Sequence, residues 1–490
     1  MEQRRPKGHA IEPEARDAVR NASLLVAQRG LDALGAVAFV ALVPRLLGPA
    51  DFGRFALLIA TAHWFSFLSG LGSTQLMGRF VPVMVLQEER AAARRLFGNL
   101  LALRLLSGSG AAAVYLLLMF LWLRDLPLAL LAPIAASVVL RSASTVLFAF
   151  FLGLNQAARW GAGELARRWS SLVLVLAGTL TYGVYGACLG AALAEVYVLA
   201  LGLRWARPHV SLADVRLETH FIAPYLRYNL VFFGSNLLFV LCQRGGEALV
   251  RAAGVDYAQV GYLSIAAAAY MAAAHGVWVV LMAFLPLLTR LRAQGRLDAA
   301  REWASRLLKL LSAGGVMICF AALLLGAEVV PLVVGPAFRP AGALLLPISL
   351  AVLAHAVGSV GRLMALTLDR PRLALAAALA QASALVGLGL PLAFRFGAPG
   401  VAVAMAAAAS LHALVFFWRV QKEAPLRLAP SLGVVALGVL FLPLAALPVH
   451  GPLSRIVLFL VFLAGYAAAL RTTRLVTAEQ LSALRRALRP

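Results

Sequence analysis

Five arginines lie inside segments that otherwise read as membrane-spanning helix: Arg29, Arg104, Arg141, Arg244 and Arg362. A charge at bilayer depth costs roughly 2.5–3.5 kcal/mol on insertion scales, so membrane helices keep few charged residues. A guanidinium stays charged and presents a planar fork of donors that matches phosphate oxygens. The five residues therefore indicate a polar interior that binds an anion, and we interpret them as candidate substrate-binding residues of a transporter.

Three acidic residues lie in the same kind of segment: Asp32, Glu195 and Glu247. A low dielectric favours the neutral form of a carboxyl group, so each of them is a candidate for carrying a coupling proton or Na⁺. The residue pattern does not select among the three.

The same arginines also fit purely structural roles. Arg141 and Glu195 can form an interhelical ion pair, and Arg29–Asp32 and Arg244–Glu247 have the (i, i+3) spacing of self-neutralising pairs. Arg104 and Arg362 lie about two turns from their helix ends, where a long side chain can reach the membrane interface. Arg141 is the strongest candidate for cargo binding, because it lies mid-span.

The composition excludes a soluble fold. Of the 490 residues, 62% are hydrophobic and only 13% are charged, with a mean hydropathy of +0.86. The net charge of +23 would suit nucleic acid, but the basic residues follow membrane topology instead. No zinc spacing, P-loop or nucleophile elbow is found, so we expect neither an enzyme nor a metal or cofactor.

Hydropathy predicts fourteen spans, at roughly 21–44, 53–78, 97–123, 127–154, 170–187, 188–204, 226–250, 259–284, 308–333, 341–367, 373–394, 398–418, 429–449 and 453–470. Only the stretch from Tyr182 to Gly186 marks a turn between the fifth and the sixth. Of the 44 Lys and Arg residues, 32 fall in the two tails and the even-numbered connections, and 7 in the odd-numbered ones. This alternation predicts that both termini are cytoplasmic.

The predicted organisation has six parts. A cytoplasmic tail (1–20) precedes an N-lobe of six spans (21–205), a cytoplasmic linker (206–225) and a C-lobe of six spans (226–420). Two further spans (421–470) and an amphipathic cytoplasmic tail (471–490) follow.

Two sequence echoes suggest parallel halves. The heptad QRGLDAL from Gln28 matches QRGGEAL from Gln243, and RLLGPADFGRFALL after the first span matches RAAGVDYAQVGYLS after the seventh. The two echoes have different registers, because the loop glycine follows Arg29 by 19 residues and Arg244 by 10. The loop echo is the better candidate for a true repeat, and the charged heptad is as consistent with coincidence as with repetition.

Several stretches resemble one family colinearly over roughly residues 20–420. They are RLLGPADFGRFALL, VGYLSIA, FLPLLTRLRAQGRLDAAREWASRLL, VGPAFRPAGALLLPISL, LDRPRLALAAALAQ and RFGAPGVAVAMA. They resemble the O-antigen and exopolysaccharide flippases (Wzx-like) of the multidrug/oligosaccharidyl-lipid/polysaccharide exporter superfamily. The resemblance implies an all-α protein whose two six-helix lobes form a V around a central cavity. It also implies a monomer.

The resemblance further implies that the protein moves undecaprenyl-diphosphate-linked oligosaccharide across the bacterial inner membrane by alternating access, for lipopolysaccharide or other surface polysaccharide biosynthesis. Membrane lipids, and a polysaccharide polymerase and ligase, would be its partners, and nucleic acid would not. The alternative is a cation-coupled small-molecule or drug exporter of the same superfamily, which Asp32 and Glu247 keep open. A membrane-embedded glycosyltransferase, ligase or polymerase is disfavoured, because the predicted outer connections are all short.

Overall fold

The computed structural model describes the backbone of residues 11–209, 214–448, 451–473 and 475. The side chains of residues 11–27, 29, 228–232 and 371, and most of both predicted tails, lie outside the described residues. The described part is helical. Its α-helices are α1 (Ile11–Leu68), α2 (Ser73–Leu86), α3 (Arg90–Trp122), α4 (Leu128–Gly153), α5 (Ala157–Ala206), α6 (Thr219–Ala252), α7 (Tyr257–Ala293), α8 (Leu297–Val334), α9 (Ala341–Thr367), α10 (Pro371–Phe396), α11 (Ala398–Glu423), α12 (Ala429–Val439) and α13 (Pro452–Thr472).

Eleven helices of the described part are long and apolar enough to cross a membrane. An α-helix satisfies its own backbone hydrogen bonds, which lipid cannot do, so a chain this apolar forms helices throughout its spans. The protein is therefore a polytopic all-α membrane protein.

Two helices extend over more than one predicted span: α5 contains the fifth and the sixth, and α1 contains the first and part of the second. The 58 residues of α1 would extend about 87 Å if straight, far beyond a bilayer. The chain instead turns at Gly48, which has φ 74° and ψ 169°. In α5 the break falls at Tyr182 and Gly183, so the turn predicted between the fifth and sixth spans is confirmed.

The second predicted span, 53–78, is not continuous. Helix α1 ends at Leu68, and α2 begins at Ser73 after Leu71 and Gly72, which both have positive φ. Hydropathy did not reveal this break, because an average over about 19 residues does not resolve the short stretch SGLGS at 69–73. The thirteenth span is also interrupted, since α12 ends at Val439 and is followed by a 3₁₀ turn.

The chain forms two compact units. The first contains Phe65–Asn229 together with the described residues before Val40, and the second contains Val40–Trp64 and the described residues from Leu230 onward. In the first unit α4 packs against α2, α3 and α5; in the second α9 packs against α7, α8 and α11, and α11 packs against α10. The unit boundaries differ from the predicted lobes mainly at Val40–Trp64, which belongs to the second unit.

A structural repeat is visible in the turns with positive φ. Four turns recur in order: Gly48 and Gly254 (φ 74° and 76°), Glu88 and Gly295 (60° and 73°), Asn155 and Asp369 (59° and 57°), and Gly183 and Gly397 (58° and 64°). The hydrogen bonds recur as well. Asn155 N donates to Leu152 O, as Asp369 N donates to Leu366 O. The two halves are thus parallel repeats, as many transporters have.

This repeat decides between the two sequence echoes. Gly48 corresponds to Gly254, so the loop echo is the true repeat and the charged heptads do not occupy equivalent positions. The two corresponding turns also meet in the second unit. A Cβ on Gly53 would lie 1.8 Å from Tyr257 O, and one on Gly261 would lie 2.4 Å from Pro49 O. Only glycine permits this backbone approach.

The two last helices extend the second unit. Helices α12 and α13 pack against α8, where Phe320 stacks on Phe462 with ring centroids 3.8 Å apart. Tyr466 Oη donates to Val434 O at 3.0 Å and joins α13 to α12. These helices therefore attach through one apolar cluster and through an ion pair between Arg455 on α13 and Glu328 on α8 at 3.4 Å.

Candidate functional site

The first unit holds a buried charged triad. Glu195 on α5 has 7% of its side chain exposed and accepts hydrogen bonds from two arginines. Arg167 Nη1 donates to Oε2 at 2.6 Å, and Arg141 Nη1, from α4, donates to Oε1 at 3.3 Å. Arg167 also donates to Ser144 Oγ at 3.2 Å. Arg141 thus forms the interhelical pair with Glu195 that its position allowed, although 39% of its side chain stays exposed.

Further charges surround this triad. Glu164 lies close enough to act electrostatically on both Arg141 and Arg167. Asp32 accepts from Arg168 Nε at 2.9 Å, which joins α1 to α5. The sequence offered Arg29 as the partner of Asp32, but the side chain of Arg29 lies outside the described residues. With three acids facing three arginines, this cluster is close to neutral.

The triad is not repeated in the second unit. Arg141 and His355 occupy equivalent positions, because each lies the same number of residues before its turn residue, Asn155 and Asp369 respectively. By the same comparison Arg167 corresponds to Gln381. The second half therefore has a polar, acid-free pair where the first half has two arginines and a glutamate.

Arg104 lies at the break between α1 and α2. Its side chain is buried, and its Nε donates to Ser73 Oγ at 2.7 Å while its Nη1 donates to Ser66 O at 3.3 Å. Ser66 is in the last turn of α1, where carbonyl groups lack helical partners and a cation is favoured. Arg104 therefore does not extend to the membrane interface, and no described acidic residue forms an ion pair with it.

Arg362 on α9 is half-buried against two helices of the second unit. Its Nη2 donates to Asn236 Oδ1 on α6 at 3.0 Å. Its guanidinium carbon lies 5.1 Å from the ring centre of Phe239 and 5.2 Å from that of Trp278. This side chain also stays inside the bundle instead of reaching the interface. Within the described part of the chain it has no acidic partner.

Arg244 and Glu247 on α6 form a loose pair. Arg244 Nη1 lies 4.0 Å from Glu247 Oε1, and Glu247 is only 1% exposed. Both carboxyl oxygens of Glu247 are buried, and neither has a hydrogen-bond partner in the described residues. An ionised carboxylate left in this state is strongly disfavoured. Asp32 and Glu195, in contrast, each receive an arginine.

The structure thus separates the predicted residues into several places. Arg141 and Glu195 meet in the first unit, Arg104 caps a helix break there, and Arg244, Glu247 and Arg362 lie in the second unit. Sequence reasoning missed Arg167 and Arg168, which it assigned to a connection before the fifth span. Helix α5 begins at Ala157, so both residues are inside the helix. Their spacing of one helical turn from Glu164 was the available signal.

Comparison with known proteins adds the family. The sequence profile described as polysaccharide biosynthesis protein matches residues 18–292. A search of curated proteins finds no significant match. Among solved structures, the lipid II flippase MurJ in an inward closed conformation has a TM-score of 0.66 at 12% identity, covering 94% of this chain and 100% of its own.

A multidrug resistance MATE family transporter of the MOP superfamily, inward-facing, has a TM-score of 0.67 at 16% identity, covering 80% of this chain and 94% of its own. A MOP superfamily transporter from Pyrococcus furiosus has a TM-score of 0.56 at 15% identity, with coverages of 83% and 95%. At these identities the similarities establish the fold. Because the family profile covers more than half of the residues, the chain belongs to the polysaccharide biosynthesis protein family and has the fold of the MOP exporters.

Proposed function

We propose that this protein moves undecaprenyl-diphosphate-linked oligosaccharide from the cytoplasmic to the periplasmic leaflet of the bacterial inner membrane. The product would supply surface polysaccharide assembly, of the O-antigen or exopolysaccharide type, through a polymerase and a ligase. Both termini would be cytoplasmic, and the protein would act as a transporter and not as an enzyme. The family membership supports polysaccharide biosynthesis, and one solved structure with this fold is named as a lipid II flippase.

One observation supports an anionic cargo. Arg104 and Arg362 lie within apolar helices, and neither has an acidic partner among the described residues. An arginine kept in a membrane helix without a counter-charge marks a path for an anion. The diphosphate of the proposed cargo carries about two negative charges, and guanidinium groups bind such oxygens through paired hydrogen bonds.

Arg362 is the better placed of the two for cargo. Arg104 is already committed to a helix end and is 5% exposed, whereas Arg362 uses one nitrogen for Asn236 and is less buried. Alternating access requires a site that both leaflets reach in turn, so a residue exposed within its own unit is favoured. The charged triad of Arg141, Arg167 and Glu195 belongs to a cluster that is close to neutral once Glu164, Asp32 and Arg168 are included, and it would orient helices and cargo together.

The test is export in a strain that lacks the chromosomal gene. Wild type, Arg362→Ala and Arg362→Lys are compared, with surface polysaccharide and inner-membrane lipid-linked intermediates both quantified. We expect intermediates to accumulate on deletion, to fall with wild type, to stay high with Arg362→Ala and to fall partly with Arg362→Lys. Arg395→Ala, an exposed arginine beside Phe396, is the matched control and should restore export.

A cation-coupled small-molecule exporter is the second candidate, and Glu247 is the observation that favours it. Its buried, unbonded carboxyl suits uptake and release of a proton, which Asp32 and Glu195 suit less because arginines hold them. If deletion left polysaccharide export and lipid-linked intermediates unchanged, the flippase proposal would be wrong. Loss of drug resistance in Glu247→Gln would then support the exporter.

A further inference from the structure

Arg362 is enclosed by aromatic rings as well as by an amide. Phe239 and Asn236 come from α6, one turn apart, and Trp278 comes from α7. The guanidinium lies within cation–π distance of both rings. The four residues belong to the second unit and form one arginine–aromatic cluster, which has no counterpart in the charged triad of the first unit.

Trp278 is neither a core residue nor an interfacial anchor. It keeps 38% of its surface exposed, whereas tryptophan is highly buried on average. Tryptophans that anchor membrane proteins lie at the headgroup level. Trp278 lies six residues before the end of the predicted span at 284, about 9 Å along the helix axis, so it lies inside the span and not at its end.

The cluster also retains hydrogen-bonding capacity. Arg362 uses Nη2 for Asn236, and its Nε and Nη1 are not among the buried described atoms that lack a partner. Among the described residues neither nitrogen has a hydrogen-bond partner, so both are available to a ligand. His275 lies on the same exposed face of α7, one turn before Trp278. Its Nδ1 is directed at Met271 O.

We propose that Arg362 and Trp278 form a subsite for a sugar diphosphate. The free nitrogens of Arg362 bind diphosphate oxygens, and the exposed indole surface of Trp278 packs against the apolar C–H face of the first sugar. A pyranose ring pairs well with an aromatic face, because its axial C–H groups are partly positive and the π face is negative. The proposal rests on the proposed function and identifies which side chain recognises which part of the cargo.

The test separates the two recognitions. Full-length protein in lipid nanodiscs is titrated with undecaprenyl diphosphate and with the same lipid carrying one N-acetylglucosamine, and bound lipid is counted by native mass spectrometry. We expect Arg362→Ala to weaken both probes about tenfold, as expected for loss of a charge-assisted bidentate contact. Trp278→Ala should weaken only the glycosylated probe, by about fivefold to tenfold, the range of an aromatic contact.

Conservative and matched variants keep the test decisive if alanine disturbs folding. Trp278→Phe retains a ring and should keep most of the preference for the glycosylated probe. Trp418→Ala removes another exposed tryptophan that lies beside an arginine, Arg419, and should change neither affinity. Size-exclusion profiles and thermal unfolding of every variant are recorded alongside.

The outcomes distinguish this subsite from the proposed function. If wild type binds neither probe, the proposed cargo is wrong. If wild type prefers the glycosylated probe and Trp278→Ala keeps that preference, the cargo stands and the sugar-packing role is overturned. Equal weakening of both probes by Trp278→Ala would show that the indole only positions Arg362, which also overturns the sugar-packing role.

Discussion

Glu195 and Arg141 are joined across α5 and α4 by a 3.3 Å contact between Oε1 and Nη1, while Oε2 of the same carboxylate receives Arg167 at 2.6 Å. One acid thus serves two arginines of unequal exposure, since Arg141 is 39% exposed and Arg167 is 10% exposed. The two ion pairs should therefore contribute differently to stability. Both side chains of the pair between Arg167 and Glu195 are buried, whereas the Arg141 side chain of the other pair is partly exposed.

This geometry predicts an order of stability among single variants. Glu195→Ala leaves two arginines in an apolar bundle without a partner and should destabilise most, by about 3–5 kcal/mol. Arg167→Ala should cost less, and Arg141→Ala least, because Glu195 keeps Arg167 and Arg141 is partly solvated. Thermal unfolding in detergent, followed by tryptophan fluorescence, measures the order. A larger loss in Arg141→Ala than in Arg167→Ala would contradict it.

A second prediction concerns the role of Arg141 in transport. Its mid-span position leads us to expect that Arg141→Ala inserts normally but fails to export, and that Arg141→Lys restores export only partly. Export and membrane insertion are measured in the deletion strain. Full export by Arg141→Ala would limit the residue to the ion pair with Glu195.

Arg104 should act as the cap of a broken helix. Arg104→Ala removes the donor to Ser66 O and Ser73 Oγ and should cost about 1–3 kcal/mol, the usual cost of leaving buried polar groups unbonded. Arg104→Lys should recover only part of the lost stability, because a single ammonium nitrogen replaces the two nitrogens, Nε and Nη1, that make these bonds. The melting temperature in detergent is the measurement, with the exposed Arg124→Ala as control. An unchanged melting temperature together with lost export would favour cargo binding instead.

The contact between the two equivalent turns should tolerate no side chain. Gly53→Ala and Gly261→Ala each place a methyl group against a backbone carbonyl, which moves less easily than a side chain. Overpacking of this kind typically costs about 1–3 kcal/mol. Gly78→Ala and Gly110→Ala are matched controls, because no atom lies within 4 Å of a Cβ built at either position. Folded yield and melting temperature should separate the two pairs of variants.

Glu218, just before α6, should make stability depend on pH. Hydrogen bonding from Arg95 holds the pKa of Glu218 below its ordinary value of 4.5. A carboxyl whose pKa is lowered by folding stabilises the protein above its unfolded pKa, and this contribution disappears as the pH falls through the folded pKa.

Wild type should therefore melt above Glu218→Gln at pH 7, and the two melting temperatures should converge as the pH falls below 4.5. Because the pair is exposed, the difference should be small and should shrink in high salt. A difference that persisted at low pH would mean that the backbone bond from Glu218 N to Asn99 Oδ1 is what the substitution disturbs.

The membrane-spanning character and the repeat were accessible from sequence. Hydropathy is a local sum over about 19 residues, so it predicted most spans, although the second and the thirteenth are interrupted. The residues from Tyr182 to Gly186 correctly predicted the turn at Tyr182 and Gly183. The loop echo from Gly48 also predicted the repeat correctly, because glycine adopts a positive φ without steric cost and therefore recurs at equivalent turns. The break after Leu68 escaped prediction, since a hydropathy average over about 19 residues does not resolve the short Ser- and Gly-containing stretch at 69–73.

Residue types alone predicted a bundle of membrane helices with arginines and acids inside its spans, because residue type fixes the cost of placing each side chain in lipid. Only the tertiary structure decided their partners. Asp32 accepts a hydrogen bond from Arg168 on another helix, and Arg362 contacts Trp278 and Asn236 from two other helices. The physical reason is that charge is a property of one residue, whereas a partner depends on which helix faces pack together.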